Sequence, residues 1–597
     1  MEKKVCLLLG VGVLALFACS SPSKGEGSAE ASSSLDSPSS SDTSLIPEES
    51  FPVSSFSPVE GPLDQKLDTP VYLGSLGESF SFETYFFDEA FEVPYVDANS
   101  FFPVFWNQAF GLDQFEEKDG GVYNKSTLAS VSFSSALGQI SFSDYDLFFS
   151  VSSLPIPDDI LDASSDPLAQ LNEAESSFSP RGGFSFSLKD YGAEILTYQG
   201  RDYVPFSYLE TIGFLPFSTR FSFNGDAYFW VEDSLLTLSN GKLSDYGSSF
   251  YHGSYSKITD RGEDFSSYFY SSFLFQMDFF YGKRNELKYS SLDQQIQKMG
   301  LKSSFLSSSP READEALAKA IAGLFGDGGH TAFLHRGTMV ARSSTYDSDL
   351  QGLIYSSDYR YYHKANRARE LLRKRGGLKS YEVSGNTAVI RFDSFALNSS
   401  AQSPSKENVA KDNVSTFALF YNSFQKIKKD PNIENVVFDV TLNGGGYATA
   451  LAQALSFLSD EPIKITVQNP MNGSYFREAV DFDNDFDGDY SDQDSYQGQY
   501  KFYILTSEYS FSCANAFPCL AKEYGLATII GETSGGGDCA VSYGLAADGS
   551  FWQMSGPRKL VHSDLTSFDS GAEVDVSLND DCFYDVARLD EALSSLE

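Results

Sequence analysis

Between residues 386 and 532, short apolar runs rich in β-branched residues alternate with longer amphipathic ones. "TAVIRF" (387–392), "ENVVFDV" (434–440), "YKFYILT" (500–506) and "LATIIGE" (526–532) have the length and composition of buried strands. "VSTFALFYNSFQKIKKD", "YATALAQALSFL" and "ANAFPCLAKEYG" between them have helical periodicity. Such alternation predicts a mostly parallel α/β sheet with right-handed crossovers. Reactive groups then belong on loops at the carboxyl ends of the strands. Two loops qualify: Asn443-Gly444-Gly445-Gly446, and Ser510 to Asn515.

The glycine loop brings backbone N–H groups close to a ligand, either a phosphate or an oxyanion. The spacing is not that of a dinucleotide fingerprint, and no phosphate-gripping lysine follows, so the oxyanion role remains. Ser512 stands where a strand gives way to a helix. A hydroxyl there gains from the helix N-terminus, and the Cys513 N–H is free to face a developing oxyanion. A serine nucleophile needs a base. Of the five histidines, His330 follows a capped helix at a glycine turn, Asp327-Gly328-Gly329-His330-Thr331. Ser309-Pro310-Arg311-Glu312 opens that helix as N-cap, first-turn proline and capping-box glutamate. His335, His363 and His562 are weaker candidates, and His252 lies in an aromatic stretch far upstream.

The flanking sequence sets the wider context. Met1-Glu2-Lys3-Lys4 precedes a short apolar run ending in Leu16-Phe17-Ala18-Cys19, an order that resembles a bacterial lipobox. On that reading Cys19 is lipidated and residues 1–19 are a signal peptide; an ordinary cleaved signal is the alternative. Residues 20–69 begin as a Ser-rich run that cannot bury enough surface to order itself, and read as a tether. The expected location is extracytoplasmic, lipid-anchored to a bacterial membrane. Residues 70–284 are rich in Phe, Tyr and Ser and predict a separate α+β domain whose aromatics form its core. "FEVPYVDANSFFPVFW" and "YQGRDYVPFSYLETIG" share a strand, proline, helix order. A formal net charge of −39 disfavours nucleic acid as a partner. Of six cysteines, four (Cys513, Cys519, Cys539 and Cys582) fall near the C-terminus, either as disulfides or as free buried thiols.

One acidic stretch follows calcium-loop spacing: Asp483, Asp485, Asp487, Gly488, Asp489 and Asp494. No helices flank it, so it is either an isolated structural calcium loop or a solvated acidic insertion. No other cofactor is expected.

In order and spacing, "VVFDVTLNGGGYATA", "LTSEYSFSCANAF" and "IIGETSGGG" resemble the core of the S41 family of serine peptidases. "FGDGGHTAF" is similar to the signature carrying the catalytic histidine in the tricorn-like branch, with one extra glycine, and "GAEVDVSLNDDCFYD" resembles the family's closing segment. The resemblance covers about residues 285–597 and implies a ClpP/crotonase-like peptidase core. It further implies Ser512 as nucleophile, His330 as base, and an oxyanion hole from Gly444, Gly445, Gly446 and Cys513. The position of the processing-protease lysine is occupied by Gly537, so a Ser/His mechanism is implied rather than Ser/Lys. Gly337 to Gly376 leaves no room for a PDZ domain. The branch's glutamate is replaced by Phe568, leaving Asp569 or Asp564 as third partner. The expected function is a membrane-anchored serine endopeptidase acting on exported polypeptides. The alternatives are an inactive S41-like module that binds peptide or glycan, and a glycan-binding surface on the aromatic half.

Overall fold

The computed structural model describes residues 62–150, 166–238, 242–327, 330–340, 367, 369–375, 377–397, 405–412, 414–490, 494–578 and 580–596. The lipobox-like Cys19, the signal segment, most of the tether, and His363 lie outside the described residues. No helix among them is long and apolar enough to cross a membrane. The fold is mixed α/β, with a β-rich N-terminal region and a parallel sheet toward the C-terminus.

The N-terminal region builds a seven-stranded and a five-stranded sheet. Its first strand, Gln65–Tyr72, pairs along its length with Ser79–Phe86, so ordered structure begins inside the stretch expected to be tether. The composition of 65–69 is too polar to announce a strand; its partner supplies the hydrogen bonds. The two similar segments are both strand then helix. Tyr95–Asp97 leads into a helix that runs through a π-helical stretch, Phe101–Trp106, and Arg201–Pro205 leads into helix Phe206–Phe214. Their strands pair antiparallel, Tyr203 opposite Asp97. The aromatic side chains are core: Phe101, Phe102, Phe105 and Trp106 are fully buried and packed on one another.

Helix α1 (Glu263–Phe280) closes this region and helix α2 (Pro310–Leu324) follows. Ser309 caps α2 by accepting the Glu312 N–H, and Pro310 occupies its first turn. Glu312 does not complete the capping box; its carboxylate accepts from the hydroxyls of Ser304 and Ser307. After α2 comes strand β1 (Ala332–His335). Residues 369–375 are helical, as the basic "RARELLRKR" run predicts.

The parallel sheet then forms from β2 (Tyr381–Ser384), β3 (Thr387–Arg391), helix α3 (Thr416–Ile427), β4 (Asn435–Asp439) and helix α4 (Ala448–Ser456). An antiparallel excursion, β5 (Ile463–Gln468) and β6 (Tyr475–Phe482), interrupts the alternation. It resumes with β7 (Lys501–Thr506), helix α5 (Cys513–Glu523) and β8 (Thr528–Gly531). Strands β9 (Cys539–Leu545), β10 (Phe551–Val561) and β11 (Val576–Ser577) complete the set. The main sheet has the order β2-β3-β4-β7-β8-β11, parallel throughout except for β2. Strands β3, β4, β7 and β8 are continuous apolar runs because both faces are covered.

A second sheet has the order β1-β10-β5-β6, with β9 beside β10. The N-terminal region extends this sheet, because Ala169–Leu171 and Ser177–Ser179 both pair with β6. One apolar cluster likewise runs from Phe101 through Leu317 and Ile321 of α2 to Trp552 of β10.

The α2–β1 corner is fixed by a buried ion pair, Asp314 to Arg336 Nη1 at 2.6 Å, with both side chains at most 1% exposed. Burial pushes the Asp314 carboxyl up to about 7, Asp548 adding to the shift and Arg336 opposing it. Removing one partner of such a pair strands a charge in the interior. Asp314→Ala is therefore expected to cost about 3–5 kcal/mol, read as a lowered midpoint in urea denaturation.

Candidate functional site

Register in the main sheet sets the site. Asp439 lies opposite Leu505, so β4 and β7 end side by side and their loops leave the same edge. Those loops are then joined through backbone groups. Ser507 Oγ donates to Thr441 O at 2.7 Å and Ser510 Oγ to Val440 O at 2.8 Å. The Phe511 N–H reaches Asn443 O at 3.1 Å. Two of the three serine hydroxyls in "SEYSFS" are thus consumed in tying the loops together. The third, Ser512, is half-buried, and among the described residues its hydroxyl has no hydrogen-bond partner.

Ser512 also carries backbone strain. It is the residue before α5 and has φ 57° and ψ −125°, a left-handed conformation costly for a side chain with a Cβ. Its N–H is held by Gly536 O at 2.9 Å, and Gly535 N reaches Ser510 O at 2.8 Å, so the glycine run after β8 clamps the turn. The Cys513 N–H, in the first turn of α5, finds no carbonyl among the described residues.

Opposite lies the 443–446 loop. At Gly445 φ is +109°, and a Cβ there would sit 2.6 Å from Ser512 Cβ and 3.0 Å from its Oγ. Only glycine lets the two loops approach this closely. The Gly445 N–H donates to Asn443 Oδ1 at 2.9 Å, so it is already committed. Among the described residues the N–H groups of Gly444 and Gly446 donate to no carbonyl; the Gly446 N–H lies near the Cys513 thiol, whose Sγ–H goes to the Gly446 carbonyl at 3.2 Å.

His330 reaches the same place from the α2–β1 turn. Asp327 shapes that turn, accepting from Thr331 N at 2.9 Å, Thr331 Oγ1 at 2.6 Å and Ser555 Oγ at 2.7 Å. Gln553 Nε2 holds the His330 carbonyl at 3.0 Å. The imidazole is buried, 5% exposed, and packs edge-to-face on the Phe511 ring, centroids 4.8 Å apart. It thus lies against the residue that precedes Ser512. Its Nδ1 is buried without a hydrogen-bond partner. Burial holds the imidazole below its usual range; Asp327 and Asp569 push it up and Lys283 pushes it down. The other described histidines are engaged elsewhere: His252 with Ser248 O, His335 with Asp233, and His562 with Glu523.

Asp569 is near enough to act on His330 but is not hydrogen-bonded to it. Its Oδ2 accepts from Lys283 Nζ at 2.6 Å and its Oδ1 from the Gly537 N–H at 3.1 Å. Burial raises the carboxyl, but the Lys283 ammonium and the Gly537 N–H outweigh it, leaving Asp569 below the usual carboxylate range. Asp564 is solvent-exposed and holds Thr566, so it is no partner for His330. Phe568 is buried against the His562 ring.

Sequence reasoning passed over several residues. Lys283 lies outside the resemblance altogether. Asn515 is fully buried; its Nδ2 donates to Phe568 O at 2.9 Å and its Oδ1 accepts from Ser534 Oγ at 2.7 Å, tying α5 to the loop that carries Asp569. In the acidic loop, Asp483, Asp485 and Asp487 bring carboxylate oxygens within 4.8 Å of one another. Asp483 is spent on the loop's own N–H groups at Phe486, Asp487 and Gly488. Asp494 accepts from Asn484 and Asp485, and the Asp489 N–H donates to Asp487; the carboxylates of Asp489 and Asp494 are not part of that trio.

A hydroxyl on a strained strand-to-helix turn of a parallel sheet, with glycine loops and an imidazole beside it, is an arrangement chemically suited to acyl transfer. Residues 386–576 match the model of peptidase family S41. His330 and Lys283 lie outside the matched residues. No curated protein matches the chain at a significant level. Among solved structures, a candidate peptidase from Parabacteroides merdae is 17% identical with a TM-score of 0.39, covering 55% of this chain and 96% of that one. The photosystem II D1 C-terminal processing protease is 16% identical with a TM-score of 0.24, covering 32% and 42%. Mature CPAF bound to lactacystin is 16% identical with a TM-score of 0.24, covering 36% and 51%.

All four described cysteines are free, so neither Cys513 nor Cys539 is in a disulfide. Burial pushes the Cys513 thiol up to about 12, against a lowering contact from Gly446. The thiolate is the reactive form. With iodoacetamide on the native chain at pH 8, peptide mapping is expected to show Cys582, partly exposed, alkylated at least about tenfold faster than Cys513.

Proposed function

We propose that the chain is a serine peptidase that cleaves polypeptides through an acyl-enzyme on Ser512. The observation that carries this reading is the meeting, at one sheet edge, of an unpartnered, strained Ser512, the Gly445 backbone against its Oγ, and His330 against Phe511. His330 accepts the Ser512 proton as the hydroxyl attacks a peptide carbonyl, then gives it to the leaving amine. The Cys513 N–H and the glycine loop face the oxyanion; Gly444 and Gly446 are its donors there, because the Gly445 N–H is already used. Water, deprotonated by His330, hydrolyses the ester. The core is read as ClpP/crotonase-like, without a PDZ domain. The substrate is an exported polypeptide and the enzyme is lipid-anchored through Cys19 outside the cytoplasm, a reading that rests on residues 1–19 alone.

A non-catalytic peptide-binding module is the second reading. The observation favouring it is that Asp569 is bonded to Lys283 while His330 Nδ1 has no partner. A fluorophosphonate probe separates the two. Covalent labelling of Ser512 that is lost in Ser512→Ala and falls at least about hundredfold in His330→Ala supports the peptidase; an unlabelled wild-type chain sinks it. Gly445→Ala is expected to abolish labelling as well, since its Cβ collides with Ser512.

The pH dependence has a fixed sign. A general base works deprotonated, and burial lowers the basicity of His330. Labelling is therefore expected to persist below the usual histidine midpoint of about 6.5 before it declines. An acid limb above that value contradicts the assignment of His330.

A further inference from the structure

Three residues after α1, Tyr281-Gly282-Lys283, carry the chain from the aromatic region onto the peptidase side. The Gly282 N–H donates to Ser555 O at 2.9 Å. A Cβ at Gly282 would lie 2.0 Å from Gly556 O and 2.8 Å from Cys539 Sγ, so the chain passes β10 and β9 in a channel with no room for a side chain. Clamped there, its neighbours diverge to two acids. Tyr281 Oη donates to Asp327 at 3.3 Å, and Lys283 Nζ to Asp569 at 2.6 Å. These are the two carboxylates whose charges bear on His330.

We propose that Lys283 is a positioning residue of this site: its ammonium anchors Asp569 beside His330, so the aromatic N-terminal region supplies a working part of the site. The inference rests on the peptidase reading and deepens it. Lys283 is only 12% exposed, and Asp569 has its other oxygen pinned by Gly537, so the pair has one well-defined arrangement. A wider set of charges stands behind it. Glu286 lies 3.6 Å from Lys283 and also pairs with Lys559; Lys559 is 3.2 Å from Asp538. Asp538 accepts the Ser567 hydroxyl, and Ser567 Oγ accepts the Asp569 N–H at 3.0 Å. The Asp569 loop is therefore fastened at its backbone and its carboxylate from the same network.

Lys283 is not itself a base. Burial works to discharge it, but Asp569 and Glu286 outweigh that and hold it protonated well above neutral pH. Its effect on His330 is electrostatic. The groups facing the imidazole are Asp327 from its own turn, Asp569 from the loop before β11, and Lys283 from the segment after α1. Burial does most to keep His330 in the neutral form that accepts a proton; the ammonium adds to it, and the two acids oppose it by favouring imidazolium.

The test uses the full chain labelled with 15N-histidine, whose five histidines give a resolvable spectrum, with His330→Ala for assignment. Lys283→Gln is expected to move the His330 titration to higher pH, and Lys283→Arg to leave it near wild type. Fluorophosphonate labelling of Ser512 at pH 6 should fall about tenfold in Lys283→Gln, recover as pH rises, and be restored in Lys283→Arg. If Lys283→Gln does not fold, Asp569→Asn removes the same ion pair and should shift the titration to lower pH. A folded variant that loses stability yet keeps the wild-type titration overturns the proposal. A shifted titration in a chain whose Ser512 is never labelled leaves the Lys283 link standing and removes the peptidase reading; labelling with no shift does the reverse.

Discussion

The pairing of β4 with β7 is the constraint on which the site depends. Once Asp439 stands opposite Leu505, the two following loops must leave the sheet together. Ser507 and Ser510 spend their hydroxyls on the carbonyls of Thr441 and Val440, and Phe511 spends its N–H on Asn443. These bonds satisfy backbone groups that burial would otherwise leave unpaired. The residue left over is Ser512, pushed into a left-handed conformation by clamps on both sides. Strain of about 1–3 kcal/mol persists only where the surroundings over-determine it, and here they do.

Acidic groups divide the remaining work. Asp327 is a structural acid: four hydroxyl or amide donors on one carboxylate hold the turn that presents His330. Asp569 is a charged neighbour, kept ionised by Lys283 and aimed by Gly537. Asp314, farther off, fixes the α2–β1 corner through Arg336. The histidine's place thus depends on residues from three separated stretches of chain, two of them outside the family match. The aromatic region and the family-matched segment also share both a sheet and an apolar cluster.

The legible parts of the fold were those with local causes. β-Branched runs of strand length gave β3, β4, β7 and β8, and Ser309-Pro310 gave the start of α2. The antiparallel excursion of β5 and β6 was missed, because short apolar runs do not reveal which partner they will meet. The start of the Gln65–Tyr72 strand, 65–69, was read as tether because its composition is too polar to announce a strand. In the site, Ser512 and the glycine loop stood out through their position between strand and helix. His330 stood out through its turn. Asn515 and Lys283 did not, since a buried asparagine or lysine looks like any other until its partners are known.

Sequence alone determined that a hydroxyl and a glycine loop would meet at the carboxyl edge of a parallel sheet, because strand–helix alternation leaves the chain one favoured way to wind. Only the tertiary structure decided which carboxylate and which ammonium lie beside the imidazole. Those contacts join residues 283, 330 and 569, and no periodicity spans such separations. Charges far apart in the chain become neighbours only when the core that holds them has closed.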